Sequence, residues 1–251
     1  MSTRLTAPIR SQIIAMLQKA HGSGRHSLFE HEVYAILDAF GLGVPVHAVV
    51  DGVEQIDAGF LSRFGSDKVV LKVVSSQVAH KQAAGGVEVV YKDLEFVRYR
   101  YAEMRRRFTR RELPVEGILF VEHVTYTQEL GNEIMLGFRE SEAFGPVISF
   151  SKGGSDAEHF ARHFSPPNLI LAPIDRAWAQ ALLESTHIHR KYVQQGHGDY
   201  VSRIVEAGIC LSDLAVAFSN FFANDSGFSF TEFEVNPIVF TPHGRFLAID
   251  G

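Results

Sequence analysis

A six-residue run of mostly β-branched side chains, Val69-Val70-Leu71-Lys72-Val73-Val74, limits the folds that are open to this chain. Such a run is typical of a strand that is covered on both faces. Apolar side chains recur at helical spacing over 27–40 and 94–108, on either side of this run. Ser27-Leu28-Phe29-Glu30 has the form of a capping box, which predicts that the first of these helices begins at Ser27. Further strands are predicted at 87–91, 117–121, 133–138, 146–150, 229–241 and 246–250, and further helices at 175–187 and 209–223. This mixture predicts an α+β or mixed α/β fold.

Composition excludes several classes of protein. Of the 251 residues 46% are hydrophobic and 21% charged, which is enough to bury a core. The formal net charge of −5 argues against binding nucleic acid through bulk charge. A single cysteine, Cys210, excludes an intrachain disulfide. No apolar run approaches about 18 residues, so we expect no membrane span and a cytoplasmic protein.

Lys72 is the first candidate functional residue. It shares strand parity with Val70 and Val74, so its ammonium group projects among apolar neighbours. A buried ammonium needs an anion, unless the side chain reaches solvent at an edge of the sheet. The segment 75–86 that follows is small, polar and ends in Gly85-Gly86, so its backbone N–H groups could fold over phosphates.

The C-terminal hairpin supplies a second candidate site. If the hairpin is symmetric about His243, Phe240 lies opposite Phe246 and Asn236 lies opposite Asp250. An amide oxygen beside a carboxylate is a hard-oxygen pair suited to Mg²⁺, which also binds phosphate oxygens. The alternative is an ordinary polar outer face, which the Asn236-Pro237 step disfavours.

Other polar clusters are weaker candidates. His187, His189 and His197 form the densest histidine group, but we expect solvated side chains there rather than a metal site. The arginines of 105–107 and 110–111 are expected on the outer face of a helix rather than in a nucleic-acid patch. The usual phosphate loop, the Rossmann fingerprint, the hydrolase elbow and the zincin motif are all absent.

Several segments resemble, in the same order, the nucleotide-binding subunit of ADP-forming acyl-CoA synthetases, which belong to the ATP-grasp class. Succinyl-CoA synthetase β subunits are more distant relatives. The segments are Leu28–Glu32, Ala39–Pro45, Val70–Val73, His80-Lys81, Gly85–Val87, Phe120–Val124, Glu133–Gly137, Phe144–Val147, Gly153-Gly154, Glu234–Ile238 and Ala248–Asp250.

The resemblance implies an ATP-grasp fold in which two lobes clasp a nucleotide. We expect an N-terminal helical extension over 1–26, a first lobe with a phosphate-covering loop over 27–121, and a second lobe with a metal-binding hairpin over 122–251. The resemblance also implies that Lys72 and Lys81 contact the nucleotide phosphates.

The remaining site residues are also implied by the resemblance. Residues Glu122, His123 and Val124 would hold the adenine, largely through the backbone, and Glu133 would bond the ribose hydroxyls. Asn236 and Asp250 would hold Mg²⁺ on the phosphates of ATP or ADP. In the family's ADP-forming members a histidine at the place of His80 can carry the phosphoryl group.

The implied activity is that of an ADP-forming acid–thiol ligase, in which acyl-CoA, ADP and phosphate give the acid, CoA and ATP. It would need a CoA-binding alpha-type domain or subunit as partner. Two alternatives stay open: another ATP-grasp carboxylate ligase that forms an acyl phosphate, and a non-catalytic ATP-sensing module. His80 separates them, because only the phosphohistidine relay needs it.

Overall fold

The computed structural model describes residues 4–78, 81–154, 157, 159, 162 and 168–251. Contacts between Cα atoms group the chain into two compact units. Ala20–Ala35 and Pro45–Val124 form one, here called the four-stranded unit; Met1–Lys19, Ile36–Val44 and Thr125–Gly251 form the other, here called the five-stranded unit. The division after Val124 lies near the lobe boundary that the sequence suggests, and the three predicted segments remain a prediction.

The four-stranded unit is built on an antiparallel sheet. Among the described residues its strands are β1 (His47–Val50), β2 (Lys68–Val74), β3 (Val87–Tyr91) and β4 (Gly117–Glu122), in the order β1-β4-β2-β3. The predicted strands at 69–74, 87–91 and 117–121 are confirmed. Alternate residues of β2 pack into the core of the unit, which explains its run of β-branched side chains.

Helix α4 (Leu94–Thr109) covers this core, as its spacing predicts. It begins after Asp93, whose side chain accepts a hydrogen bond from the backbone N–H of Phe96 at 2.8 Å. Its buried side chains are Val97, Tyr101, Met104 and Phe108. A short 3-10 helix (Val53–Gln55) and α3 (Ala58–Ser62) precede β2.

Helices α1 (Ala7–Gly22) and α2 (Glu30–Ala39) contribute residues to both units. The predicted start of α2 at Ser27 is wrong. The backbone N–H of Phe29 donates to the Glu32 carboxylate at 2.7 Å, so Glu32 occupies the capping position that the sequence suggests for Glu30. Glu30 therefore does not cap the helix, and its side chain is buried.

The five-stranded unit has a second antiparallel sheet. Its described strands are β5 (Glu133–Ser141), β6 (Gly145–Lys152), β7 (Asn168–Leu171), β8 (Glu232–Phe240) and β9 (Phe246–Ala248), in the order β7-β6-β5-β8-β9. Helices α5 (Arg176–Glu184), α6 (His187–Gln195) and α7 (Gly198–Ala217) follow β7. Helix α7 packs on β5 and β6, so one face of the sheet is covered.

Three predicted boundaries in this unit are wrong. The helix expected over 175–187 ends at Glu184, because Thr186 caps a new helix by accepting the N–H of His189 at 2.9 Å. The helix expected over 209–223 runs over Gly198–Ala217. It ends there because the next segment bonds to the sheet, where Glu140 accepts the Ser219 hydroxyl at 2.7 Å. Strand β7 was not predicted.

Two further observations concern the described part of the chain. None of its helices is both long enough and apolar enough to cross a membrane. Within the same residues, no group of three or more His, Cys, Asp or Glu side chains is placed to hold a metal ion.

Candidate functional site

Lys72 lies on β2 in the four-stranded unit, and only 6% of its surface is exposed. Its ammonium Nζ is 2.5 Å from Oε1 of Glu30, which is 2% exposed. The sequence left open whether Lys72 reaches solvent or meets an anion. The structure gives it an anion from the protein itself.

The same carboxylate binds a second predicted site residue. Nζ of Lys81 lies 3.1 Å from Oε2 of Glu30, and the hydroxyl of Tyr34 donates to Oε1 at 2.7 Å. Burial by itself raises the pKa of the Glu30 carboxyl, but the two ammonium groups and these hydrogen bonds outweigh it and hold the pKa below its usual value. Glu30 is therefore ionised at neutral pH and carries a lysine on each oxygen.

The end of the segment 75–86 is held by side chains from helix α4 and from the turn that follows it. Nη1 of Arg107 donates to the carbonyl oxygen of Gly85 at 2.5 Å, and Nη1 of Arg111 donates to that of Ala84 at 3.0 Å. Two of the arginines that we expect on the outer face of a helix, at 107 and 111, therefore also bond the backbone of this segment. His80, the predicted phosphoryl carrier, lies outside the described residues.

The predicted adenine-binding segment follows the last strand of the four-stranded unit. Glu122 ends β4, and its backbone N–H donates to the carbonyl oxygen of Val46 at 2.7 Å. Its side chain accepts the N–H of Val46 at 3.3 Å. Both groups thus bond within the unit, and the backbone of His123 and Val124 becomes the more suitable part of this segment for contacting a base.

In the five-stranded unit, Glu133 begins β5 and is 3% exposed. The hydroxyl of Tyr126 donates a hydrogen bond to it. Burial and the charge of Glu133 raise the pKa of Tyr126 to about 12. The carboxylate also lies against Gly154, where an added Cβ would be 2.5 Å from Oε2. A glycine at 154 is therefore needed to leave room for Glu133.

The predicted hairpin register is confirmed. Phe240 pairs with Phe246, and the N–H of Asn236 donates to the carbonyl oxygen of Asp250 at 3.1 Å. Oδ1 of Asn236 also accepts the backbone N–H of Gly154 at 2.8 Å, which identifies the oxygen end of the amide. An oriented amide oxygen next to a carboxylate on a directly opposed residue is a donor set that fits Mg²⁺.

A cavity of about 660 Å³ lies within the five-stranded unit, on the sheet face that α7 does not cover. Asn236 lines it, together with Met135, Gly137 and Ser151 from the neighbouring strands β5 and β6. The cavity therefore has both polar groups and apolar walls beside the proposed metal residues, as small-molecule sites generally do.

Sequence reasoning missed several residues at these positions. The sequence places Glu30 in a capping box and gives Tyr34 and Tyr126 no role at a site. Lys152, which is 9% exposed and donates to the carbonyl oxygen of Gly153 at 3.2 Å, was also missed. For Lys152, the available signal was a lysine at the end of a buried strand, β6.

Comparison with known proteins identifies the family. A family model described as an ATP-grasp domain matches residues 19–251. The chain belongs to the ATP-grasp family. Its helices and two antiparallel sheets agree with that fold, so the predicted fold class and the resemblance read from the motifs are confirmed.

Individual relatives are ADP-forming CoA ligases. The chain is 26% identical over 223 residues to the 4-hydroxybutyrate–CoA ligase [ADP-forming] of Nitrosopumilus maritimus, covering 88% of this chain and 30% of the relative. It is 30% identical over 141 residues to subunit beta of acetate–CoA ligase [ADP-forming] I of Pyrococcus furiosus, covering 55% and 58% respectively. The chain thus spans less than two thirds of either relative.

A solved structure matches nearly end to end. It is the dinucleotide forming acetyl-coenzyme A synthetase 1 of Ca. Korarchaeum cryptofilum with coenzyme A, acetyl-coenzyme A and a phosphorylated phosphohistidine segment. The TM-score is 0.75 at 27% identity, over 95% of this chain and 97% of that chain.

Proposed function

We propose that this chain is the nucleotide-binding part of an ADP-forming acyl-CoA synthetase. Its substrates would be ATP or ADP with Mg²⁺, and a CoA-binding alpha-type domain or subunit would complete the enzyme. The observation that carries the proposal is the backbone hydrogen bond from Asn236 to Asp250, which makes them opposed residues of the hairpin. Opposed side chains lie on one face, and an amide oxygen and a carboxylate are ligands that suit Mg²⁺. The ATP-grasp assignment and the CoA ligases among the relatives support it.

Both units contain residues that the resemblance implies for binding the nucleotide. Lys72 and Lys81 of the four-stranded unit would bind phosphate oxygens, and the backbone at 122–124 would hold the adenine. In the five-stranded unit, Glu133 would bond the ribose hydroxyls. Asn236 and Asp250 would hold Mg²⁺, which when bound neutralises charge on the phosphates.

We further propose that His80 carries the phosphoryl group. In the ATP-forming direction the bond between phosphorus and the imidazole nitrogen breaks, and a bond forms to a β-phosphate oxygen of ADP. The bonding electrons stay on the ring, whose other nitrogen takes up a proton from solvent, so that the leaving group is neutral imidazole. Neutral imidazole can accept the next phosphoryl group because it is nucleophilic near pH 7. The phosphohistidine segment of the Korarchaeum enzyme supports this role.

The test uses the full chain with and without a CoA-binding partner protein. Alone, the chain should bind Mg-ATP and form no acyl-CoA. With the partner, turnover should appear, and His80→Ala should abolish it while ATP affinity stays within about twofold. His243→Ala, at an exposed turn, is the matched control and should retain turnover. Turnover of His80→Ala at the wild-type rate would rule out the relay and favour a different carboxylate ligase.

A further inference from the structure

The carboxylate of Glu30 joins the two lysines proposed to bind phosphate, because each lysine bonds one of its oxygens. It comes from α2, Lys72 from β2, and Lys81 from the segment after His80. These positions are 42 and 51 residues away from Glu30 along the chain. Their meeting is a product of the fold, and the proposed function gives Glu30 no role.

The geometry fixes where the two ammonium groups lie. Each binds a different oxygen of the same carboxylate, so their nitrogens lie no more than roughly 8 Å apart. At that separation one phosphate group can contact both. An ammonium has three N–H donors, so pairing with Glu30 and contact with a phosphate oxygen are compatible.

The carboxylate is itself held in place. The hydroxyl of Tyr34 donates to Oε1, and the Tyr34 ring lies against His47 at 4.9 Å between ring centroids. The side chain of Glu30 is only 1% exposed, so water competes little for its oxygens. A buried, fully ionised and hydrogen-bonded anion of this kind sets the positions of the cations that bind it.

We propose that Glu30 is a positioning residue of the phosphate site. It holds the ammonium groups of Lys72 and Lys81 so that both can donate hydrogen bonds to a single phosphate group of the nucleotide. This inference rests on the proposed function and adds a residue to it. Glu30 touches the lysines and not the nucleotide, so its effect should depend on whether the ligand has phosphates.

The experiment compares the affinity of ATP with that of adenosine for Glu30→Gln. The amide keeps the size of the side chain, but its NH₂ end faces one ammonium, and the two cations lose the charge between them. One lysine should therefore turn away. We expect ATP to bind about tenfold more weakly, which is the value of one charge-assisted hydrogen bond, and adenosine affinity to change less than twofold.

Glu32→Gln is the matched control. Glu32 is also in the first turn of α2 and is 7% exposed, and its carboxylate forms an ion pair with Arg25 at 2.7 Å. It should leave both affinities unchanged. If Glu30→Gln does not fold, Glu30→Asp replaces it, because its carboxylate is drawn back by about 1.5 Å and cannot reach both lysines. We expect this variant to lose affinity for ATP by the same factor and to keep its affinity for adenosine.

The outcomes are distinct. Unchanged or tighter ATP binding by the folded Glu30 variant would overturn the positioning role, as would equal losses for ATP and adenosine. A wild-type chain that binds no ATP would refute the proposed function and the positioning role together. Wild-type binding of ATP with an unaffected Glu30 variant would refute only the role of Glu30.

Discussion

Replacing Lys72 by methionine tests how strongly the buried ion pair contributes to stability. Lys72 and Glu30 side chains are 8% and 1% exposed, so each loses most of its hydration in the folded chain. Removing one partner of such a pair costs about 3–5 kcal/mol. Because Lys81 and Tyr34 still donate to Glu30 in the variant, we expect a loss at the lower end, about 3 kcal/mol. For a chain of this length that lowers Tm by about 6–12 °C.

The double-mutant cycle isolates the pair. Glu30→Gln alone should cost a similar amount, and Lys72→Met combined with Glu30→Gln should cost about 3–4 kcal/mol rather than the sum, a coupling of about 2–3 kcal/mol. Equilibrium urea unfolding followed by circular dichroism measures all four proteins. Losses that add to within about 0.5 kcal/mol would refute the argument, because they would mean that the two groups act independently. Lys72→Met should also lose most of its ATP affinity.

Three further predictions concern the proposed metal residues, a glycine turn and acid stability. Asn236→Ala or Asp250→Asn should weaken the binding of Mg-ATP several-fold in calorimetric titration and leave metal-free ATP binding nearly unchanged. The double variant should lose less affinity than the sum of the two single losses. Additive losses that do not depend on the metal would assign both residues a structural role. Gly154→Ala and Gly227→Ala should each cost about 1–2 kcal/mol for their positive φ angles of 92° and 74°. Only Gly154→Ala should cost about 1–3 kcal/mol more in urea unfolding, since its Cβ meets a carboxylate. Burial raises the pKa of Glu32, but the bonds from Arg25 outweigh burial and hold that pKa below its ordinary value of 4.5. The contribution of the ionised Glu32 to the free energy of unfolding should therefore be lost as pH falls below 4.5. We expect the stability of Glu32→Gln to fall less steeply with acid than that of the wild type.

The C-terminal hairpin shows what sequence can predict. A tight turn fixes the register of the two strands that it joins, and alternation fixes their faces. The pairing of Asn236 with Asp250 therefore follows from a turn centred near His243. The same holds for α4, where apolar spacing alone locates Val97 and Phe108.

Glu30 shows what sequence could not predict. Its neighbours match a capping box, and the competing position at Glu32 is only two residues away. The choice between them decides which carboxylate caps the helix and pairs with Arg25, and which one meets the two lysines. That choice depends on Lys72 and Lys81, more than forty residues later in the chain, so no local pattern contains it.

Sequence reasoning also missed Tyr126 and the N-terminal half of α7, for similar reasons. Tyr126 precedes β5 in a segment with no regular periodicity, and its bond to Glu133 exists only once the chain has folded. Gly198 and Gly208 interrupt the apolar pattern of α7, although glycine is tolerated where the helix is held by packing against the sheet. The role of His80 stays a prediction.

The two glycines after β6 have a consequence for the length of ligand that the five-stranded unit can accept. The N–H of Gly153 donates to the carbonyl oxygen of Glu133 at 3.0 Å, and the next N–H, from Gly154, donates to the amide oxygen of Asn236. One peptide step therefore sets the spacing between the residue proposed for the sugar and the residue proposed for the metal. With those roles, this peptide step fixes the distance between the ribose and the phosphates of a bound nucleotide. Side-chain substitutions elsewhere in the cavity do not change that distance.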